Sequence, residues 1–282
     1  MTAIAHEPQT ELATVPAELD SPAVLAGRSS AFIAWAMPFV RIAAKGWHRS
    51  EVRGAENVPA GGALLVSNHS GGIIAMDVPV LAVALFDRFG PEHPVHVLAH
   101  DMLFFGPFGS VMRKAGFLPA NKANAAAALS SGGTTILFPG GDREAYRPTA
   151  QRNLVDFDGR TGYVRAALEA GVPLVPAVSI GGQENQLYLS RGEAIARRMG
   201  LTKRVRSESW PVTFGFPFGV SMVFPPNLPL PTKIVTQILE PIDIVAEFGP
   251  DPDEREVDAV VRQRMQDALD ELARQRRFPV LG

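Results

Sequence analysis

Short apolar runs alternate with stretches of helical periodicity through most of the chain, and this alternation constrains the fold more than any other feature. Four apolar runs are predicted as buried strands, at residues 63–67, 95–99, 134–138 and 174–179. The segments between them are predicted as helices, at residues 78–86, 121–129 and 161–170. Such alternation is typical of an α/β fold with a mainly parallel central sheet flanked by helices. Ligands of such sheets bind at the carboxyl ends of the strands.

The carboxyl-terminal part of the chain follows other patterns. Residues 210–244 contain strand-like segments separated by Pro and Gly, which we interpret as an extension of the sheet rather than a second domain. Residues 254–277 place apolar side chains at steps of three and four among charges, which predicts an amphipathic helix packed on the core. Residues 49–282 are therefore predicted to form a single α/β domain.

The first 28 residues contain Pro among small polar residues, which predicts a mobile amino-terminal tail over residues 1–28. This stretch carries acidic residues but neither a basic start nor an apolar centre, so it is not typical of a secretory signal. No segment reaches the 18 or so apolar residues of a spanning helix. We therefore expect the chain to stay on the side of the membrane where it is made.

Residues 29–48 are predicted as an apolar helix that is too short to cross a bilayer. Arg28 precedes it, and the basic residues and tryptophans within it are Arg41, Lys45, Trp35 and Trp47. This arrangement is typical of a helix lying in the membrane interface, with the tryptophans at the depth of the headgroups. A core helix kinked at Pro38 has the same apolar pattern, so both interpretations stay open.

Composition excludes several classes of function. The chain has no cysteine, which excludes disulfide scaffolds, Cys-ligated metals and cysteine nucleophiles. Its 27 basic residues are balanced by 29 acidic ones without a basic run, which disfavours nucleic-acid binding. His93, His96 and His100 lie close together in sequence, but strand alternation does not make them converge, and we predict no metal site. We interpret His96 as a hydrogen-bonded polar group within the sheet.

A Gly-rich turn at residues 68–72 follows the first predicted strand and carries His69, and Asp77 opens the next helix. Imidazole titrates near neutral pH, and a carboxylate on its second nitrogen fixes the tautomer and stabilises the cation. A histidine near an aspartate is also common as a purely structural pair. The position at a strand-to-helix turn adds weight to the catalytic interpretation without excluding the structural one.

The residues from Asn68 to Asp77 resemble the catalytic block of the glycerolipid and lysophospholipid acyltransferases, in which four residues separate His from Asp. Residues 116–122, 138–144 and 172–177 resemble the three further blocks of this family, in the family's order. The resemblance covers about residues 52–244 and implies the family's α/β fold, with His69 and Asp77 as catalytic residues. The substrate-binding residues that it implies are Asn68, Ser70, Lys122, Gly140, Gly141, Arg143 and Glu144.

The sequence departs from the family pattern at three places. Seven residues instead of four separate His69 from Asp77, and we expect the additional glycines to let the turn bulge so that the two side chains still meet. Gly140 stands where the common pattern has Glu, and Lys122 stands where it has Arg, a bidentate partner of phosphate. Pro-Gly-Gly followed by Glu144 looks more like the branch that includes diacylglycerol acyltransferases. The class of acceptor therefore stays open.

The resemblance implies direct transfer of an acyl group from acyl-CoA or acyl carrier protein, with no cofactor and no acyl-enzyme. The absence of cysteine and of a Gly-x-Ser-x-Gly motif agrees with this implication. Lys122 and Arg143 either anchor a headgroup or the phosphates of coenzyme A, or are surface charges. The backbone N–H groups of Gly140 and Gly141 either bind an anion or belong to a tight turn that needs glycine.

The sequence thus predicts an O-acyltransferase of phospholipid or glycerolipid biosynthesis, acting on a lysophospholipid or glycerolipid hydroxyl. It is expected to bind membrane lipids as a peripheral, monotopic protein at the cytoplasmic face. The alternatives are a neutral-lipid, glycolipid or sterol-like acceptor, or a lipid-binding protein without catalysis; an esterase is disfavoured. Glu184, after the fourth predicted strand, either lines the acceptor site or caps the following helix.

Overall fold

A seven-stranded sheet forms the centre of the protein. The computed structural model describes residues 22–72, 75–200 and 209–278. The strands of the sheet are β1 (Glu51–Arg53), β2 (Ala63–Ser67), β3 (Val95–Ala99), β4 (Phe117–Pro119), β5 (Thr134–Leu137), β6 (Leu174–Ile180) and β10 (Val235–Ile238). Their order is β1-β10-β6-β2-β5-β3-β4. The strands from β6 to β4 run parallel, β10 is antiparallel to β6, and β1 is parallel to β10.

Helices cover both faces of this sheet, and the predicted fold class is confirmed. The described α-helices are α1 (Ser30–Arg41), α2 (Asp77–Phe89), α3 (Gly106–Lys114), α4 (Lys122–Leu129), α5 (Gly141–Ala145), α6 (Gly162–Ala170), α7 (Glu193–Arg198), α8 (Ile244–Phe248) and α9 (Glu254–Gln275). A π-helix, Ile42–Trp47, continues α1. The side chains of Asn121 and Asp253 accept hydrogen bonds from backbone N–H groups at the starts of α4 and α9.

Strand alternation divides the core into two layers. Leu64 and Val66 of β2 pack with apolar residues of α6 and α9, whereas Leu65 packs with residues of α2 on the other face. Every residue of β2 and β6 is buried, because both faces of the sheet are covered. The predicted stripe on α9 is also buried, and consists of Val257, Val261, Met265, Leu269 and Leu272.

The interpretation of residues 210–244 as a simple sheet extension was wrong in part. Only β10 extends the central sheet. Strand β8 (Val212–Gly215) pairs with β7 (Leu187–Ser190) and with β9 (Gly219–Ser221) in a separate, three-stranded antiparallel sheet. The periodicity of a strand carries no information on its pairing partner, so the sequence pattern did not distinguish these two sheets.

The predicted amino-terminal tail is ordered in its last residues. Residues Pro22–Gly27 form a 3-10 helix, and Val24 packs in a buried cluster with Phe104 and Leu118. The Arg28 guanidinium donates hydrogen bonds to the carbonyl oxygens of Pro91 and His93. These long-range contacts hold residues 22–28 on the domain, which corrects the predicted boundary. Residues 1–21 lie outside the described residues.

Helix α1 has one buried side and one exposed apolar side. Met37 packs in a buried cluster with Val80 of α2, and Ala44 of the π-helix joins the same cluster. The large apolar residues exposed along α1 and the π-helix are Trp35, Phe39, Ile42 and Trp47. The helix therefore combines features of both interpretations that the sequence left open. No described helix is both long enough and apolar enough to cross a membrane.

The burial of the α9 stripe predicts a large effect of truncation there. The Leu269 side chain is fully buried between α9 and the sheet. Leu269→Ala is expected to lower the free energy of unfolding by about 2–5 kcal/mol, because apolar contacts are lost and a cavity remains. The measurement is urea denaturation followed by circular dichroism. Leu154→Ala, at an exposed leucine, is the control and should change it by less than about 0.5 kcal/mol. Equal effects of the two variants would contradict the described packing.

Candidate active site

The carboxyl ends of three adjacent strands converge on one region. Strand β2 lies between β5 and β6, and all three run parallel. His69 follows β2, the Gly140–Gly141 turn follows β5, and Gln183 follows β6. The chain therefore brings polar residues from distant sequence positions to a single edge of the sheet, where ligands of parallel sheets bind.

His69 and Asp77 form a hydrogen-bonded pair at this edge. Their Nδ1 and Oδ2 atoms are 2.8 Å apart. The Asp77 side chain is fully buried, whereas 19% of the His69 side chain is exposed. The imidazole ring also packs against Phe138, with ring centroids 4.6 Å apart. Because Nδ1 faces the carboxylate, Nε2 is the ring nitrogen left to exchange a proton with a substrate.

Asp77 is held by two further donors. The backbone N–H of Ser70 donates to Oδ2 at 2.6 Å, and its hydroxyl donates to Oδ1 at 2.7 Å. Asp77 is also the first residue of α2, where the helix dipole favours negative charge. These interactions stabilise the carboxylate and fix its orientation toward His69. Since the Ser70 hydroxyl is buried and bonded to Asp77, we assign it to positioning instead of the predicted substrate contact.

The glycine turn explains how the longer spacing still brings His69 and Asp77 together. Gly71 and Gly72 have φ values of +99° and +64°, in a region that favours glycine. A Cβ atom on Gly72 would lie 1.4 Å from the Tyr188 hydroxyl, so no side chain fits there. Ile74, where the usual family spacing would place the aspartate, lies outside the described residues.

The carboxylate of Glu144 connects the turns that follow β2 and β5. Its Oε2 accepts a hydrogen bond from the His69 backbone N–H at 2.8 Å. Its Oε1 accepts from Arg147 at 3.0 Å and from the Asp156 backbone N–H at 3.2 Å. Burial raises the pKa of Glu144 to about 7, against the opposing effects of Arg147 and the two N–H groups.

This location corrects the predicted substrate contact of Glu144. The side chain is fully buried and offers no surface to a substrate. It acts instead on the backbone of His69, and so on the position of the imidazole. Arg147 is equally buried, and Gln183 donates from Nε2 to the carbonyl oxygens of Glu144 and Ala145. Glu144 is therefore a positioning residue, supported by two residues that the sequence analysis did not single out.

Gly140 and Gly141 lie in the turn after β5 that leads into the helix of Glu144. A Cβ atom on Gly140 would lie 2.4 Å from Oε2 of Glu144, so glycine is required for the close approach. Gly141 has a φ of +52°, and its N–H donates to the Phe138 carbonyl oxygen at 3.1 Å. Because that N–H is already paired, the structure assigns Gly141 to the tight turn instead of the predicted anion contact.

Asn68 also has a role different from the predicted one. Its Nδ2 donates to the carbonyl oxygen of Ser179 at 3.0 Å, and its Oδ1 accepts from the Ser179 N–H at 2.7 Å. Both ends of the buried amide are thus bonded to the backbone of β6. Asn68 holds the end of β2 against β6 and has no accessible surface for substrate.

The two predicted cationic anchors lie in different surroundings. The Arg143 guanidinium is partly exposed and forms an ion pair with Asp158 at 3.2 Å, with Asp156 at 4.0 Å. Lys122 is exposed at the start of α4, after β4. Strand β4 is three positions from β2 in the sheet, a separation of roughly 14 Å. The structure therefore places Lys122 at the same sheet edge as His69, but not beside it.

Glu184 has neither of the two roles that the sequence left open. Its buried carboxylate forms ion pairs with Arg152 at 3.0 Å and with Arg276 at 2.8 Å. Burial raises the pKa of Glu184 while the two arginines lower it. The residue therefore fastens the chain after α9 to the loop after β6, a contact that no local pattern indicates.

The histidines outside the site have separate surroundings. His93 Nε2 lies 3.1 Å from the Thr134 hydroxyl, and His100 Nδ1 accepts a hydrogen bond from the Met102 N–H. His96 is buried in β3 and has a hydrogen bond with the backbone of Gly116, while its Nδ1 has no hydrogen-bond partner. Burial lowers the pKa of His96 to about 4. Within the described residues, no three side chains of metal-ligand type lie close enough to share an ion.

Comparison with known proteins identifies relatives of this chain. The family model described as Acyltransferase matches residues 49–180, which include His69, Asp77 and Glu144. An uncharacterized protein of Mycobacterium tuberculosis is 35% identical over 257 residues, covering 87% of this chain and 67% of that protein. The mouse protein named DGAT1/2-independent enzyme synthesizing storage lipids is 26% identical, over 68% of this chain and 56% of its own length.

Two further matches are to a diacylglycerol O-acyltransferase and to an acyltransferase of known structure. Diacylglycerol O-acyltransferase 2 of Dictyostelium discoideum is 31% identical over 166 residues, covering 55% of this chain and 48% of that protein. The crystal structure of a 1-acyl-sn-glycerophosphate acyltransferase from Thermotoga maritima matches with a TM-score of 0.52 and 19% identity. This match covers 89% of the present chain and 80% of the other, and it shows a common fold.

The raised pKa of Glu144 predicts a pH-dependent contribution to stability. The folded state holds this proton more tightly than the unfolded chain, where the pKa is near 4.5. Ionisation of Glu144 therefore costs more free energy in the folded state than in the unfolded chain. This difference lowers the stability of wild type as pH rises from about 4.5 to about 7. Glutamine does not ionise, so the stability of wild type relative to Glu144→Gln should fall across this range and then level off.

The measurement is urea denaturation of both proteins at about pH 5 and about pH 8. The control is Glu271→Gln, because Arg274 holds the pKa of the exposed Glu271 below its usual value. Its stability difference from wild type should not fall over this range. A constant difference between wild type and Glu144→Gln would contradict the raised pKa.

Proposed function

Because the chain belongs to the acyltransferase family, we propose that it transfers an acyl group from acyl-CoA or acyl carrier protein to a glycerolipid or lysophospholipid hydroxyl. His69 is the general base of this proposal, and Asp77 is its partner. The observation that carries it is the 2.8 Å hydrogen bond between His69 Nδ1 and Asp77, located at the carboxyl end of β2. Nε2 is then available to the acceptor hydroxyl.

The proposed reaction has one acyl-transfer step through a tetrahedral intermediate. Nε2 of His69 takes the proton of the acceptor hydroxyl while the oxygen forms a bond to the thioester carbonyl carbon. The carbon–sulfur bond then breaks, and the leaving thiolate takes the proton from Nε2. Asp77 stabilises the imidazolium between these events and does not itself need to be protonated. The chain has no cysteine, so no acyl-cysteine intermediate is formed.

A neutral glycerolipid such as a diacylglycerol is the acceptor that the site favours over a phosphate-bearing one. The Arg143 guanidinium, one of the two predicted anchors for a phosphate, is already paired with Asp158. Arg160 also lies 3.9 Å from Asp158, so two cations share nearby acidic partners. Gly140, whose missing side chain accommodates Glu144, supplies no group for an acceptor. The relatives named for diacylglycerol and storage lipids support the same choice.

The exposed apolar side of α1 supports a place for this reaction at a membrane surface. Trp35 and Phe39 are about two-thirds exposed, at 65% and 63%, on the side opposite Met37. We propose that this side lies in the interface at the cytoplasmic face, as a peripheral contact. Tryptophan and phenylalanine are suited to that depth because apolar area is removed from water without insertion of a spanning segment.

The decisive experiment measures thiol release from palmitoyl-CoA with purified protein and detergent-dispersed diacylglycerol. His69→Ala is expected to reduce acceptor-dependent release by about 10²–10⁴-fold, because the general base is lost. Asp77→Asn should also reduce it, since an amide does not stabilise the imidazolium. His100→Ala is the matched control, because His100 lies at the end of β3 on the same sheet edge. Unchanged release by His69→Ala would refute the mechanism.

The same assay decides the class of acceptor. Lysophosphatidic acid, other lysophospholipids and diacylglycerol are compared at equal concentrations with one donor. A preference for diacylglycerol is the expected result, and a preference for lysophosphatidic acid would contradict the interpretation of Arg143. Release without any acceptor would indicate a hydrolase instead. An acyl carrier protein donor is tested in parallel, because the same chemistry applies to either thioester.

The membrane role of α1 predicts a separable defect. The double variant Trp35→Ser and Phe39→Ser should reduce binding to phosphatidylcholine vesicles about tenfold or more, because two apolar side chains no longer leave water on docking. Flotation with vesicles measures the bound fraction. Val245→Ser, at an exposed apolar residue of α8, is the control. Wild-type binding by the double variant would contradict a docking role of α1.

A further inference from the structure

The segment of residues 209–232 contains no charged residue and includes β8 and β9. We call β7, β8 and β9, with the turn between β8 and β9, the apolar hairpin sheet. Apolar residues recur at every second position from β8 through the turn and past β9, a period that places alternate residues of a strand on one face. The exposed members of this series are Phe214, Phe216, Phe218, Val220, Met222 and Phe224.

In this sheet the exposed face is apolar and the buried face is polar, the reverse of an ordinary hairpin in water. The exposed fractions of Phe216 and Phe224 are 70% and 74%. The buried face instead carries Thr213, Ser221 and Asn227, joined by side-chain hydrogen bonds of 2.9 to 3.0 Å. An antiparallel sheet with one solvated face normally turns its polar residues toward water. The reversal indicates that the outward face meets an apolar environment.

The outward apolar residues continue across all three strands. Leu187 of β7 pairs with Phe214 of β8, and Phe214 pairs with Val220 of β9. All three side chains are exposed, as is Leu189 further along β7. The surface is thus a continuous sheet face and not a set of scattered side chains, and contiguous apolar surface of this kind marks an interaction site.

The apolar hairpin sheet is connected to the turn that carries His69 and to the π-helix after α1. Tyr188 of β7 is buried and lies against Gly72, in the turn that carries His69. In the chain that follows the sheet, the Leu228 N–H donates to the Phe216 carbonyl oxygen at 2.8 Å, and the next residue, Pro229, accepts from the Trp47 indole N–H at 3.1 Å. The sheet is therefore linked to both the proposed interfacial segment and the His69 turn.

We propose that the outward face of the apolar hairpin sheet is a second membrane-docking surface, which inserts into the lipid leaflet beside α1. A leaflet is the occupant that fits, because the segment has no charged residue and its polar residues are buried, and because it contacts Trp47, an exposed apolar residue of the proposed interfacial segment. Strand β9 is an edge strand, and its backbone groups are costly to bury in hydrocarbon. The docking is therefore shallow, at the boundary between headgroups and acyl chains.

This proposal rests on the proposed function in one respect, namely that the substrate is a lipid located in a membrane. Membrane docking itself does not depend on catalysis. Docking through this sheet also has a consequence for catalysis. Because β7 contacts the turn that holds His69, docking brings His69 close to the leaflet. An acceptor lipid then reaches His69 without leaving the membrane surface entirely.

The first test is the double variant Phe216→Ser and Phe218→Ser at the turn of the hairpin. Its binding to phosphatidylcholine vesicles should fall about tenfold or more relative to wild type. Phe278→Ser, at a phenylalanine that is 59% exposed outside the sheet, is the matched control. Circular dichroism and the thermal midpoint should stay unchanged, because these side chains are exposed. Wild-type binding by the double variant overturns the proposal.

A second test measures the contact between this sheet and the acyl chains directly, and it does not depend on loss of vesicle binding. The chain has three tryptophans, so Trp35→Phe with Trp47→Phe leaves Trp210 as the reporter. Trp210 lies next to β8 and contacts the sulfur of Met222 at 3.3 Å. Phospholipids brominated on their acyl chains should quench its fluorescence. Binding to these vesicles without quenching of Trp210 overturns the proposal.

Further outcomes separate this proposal from its alternatives. If Phe216→Ser with Phe218→Ser changes the sedimentation of lipid-free protein from dimer to monomer, the face joins two copies of the chain and the membrane assignment is overturned. Thiol release with detergent-dispersed acceptor should persist in this variant. Failure of the proposed function is recognised differently, as absence of His69-dependent release while the vesicle binding and the quenching of Trp210 remain.

Discussion

The hydrogen bond between the buried Glu144 carboxylate and the His69 backbone N–H is the contact on which the rest of the site depends. It joins the turns after β5 and β2, whose strands already lie side by side. Burying a carboxylate is costly unless its oxygens are bonded, and here Arg147 and the Asp156 N–H complete the set. Gly140 leaves the space for this carboxylate. A polar network of this kind is rigid because the loss of any donor leaves a buried charge unsatisfied.

Two kinds of surface meet at this edge of the sheet. The His69–Asp77 pair is held by a closed set of hydrogen bonds, in which Asp77 accepts from His69 and from both donors of Ser70. In addition, α1 and the apolar hairpin sheet expose large apolar side chains, and Trp47, which follows α1, bonds to Pro229 in the chain that follows the sheet. An acyltransferase that acts on lipids needs both properties, because proton transfer requires fixed polar groups while the acceptor stays in an apolar phase.

The periodicity of apolar residues predicts much of the fold, and the sequence motifs predict part of the site. The bounds predicted for β2 and β3 match the structure, because fully buried strands are short apolar runs with clear ends. The pairing of His69 with Asp77 was expected from the additional glycines, whose positive φ values produce the bulge. The role of Glu144 was misjudged, because sequence does not show whether a carboxylate faces solvent or the backbone of another turn. The partner of β8 was missed for a similar reason.

The sequence by itself determined the class of fold and the family, and it predicted that His69 and Asp77 meet, since these depend on local patterns and on residue types at short spacing. The tertiary structure decided which polar side chains face a substrate and which serve the backbone, as Asn68 and Glu144 illustrate. It also decided that the phenylalanines of the hairpin point outward. A period of two defines two faces of a strand, but only the packing of neighbouring elements determines which face is covered.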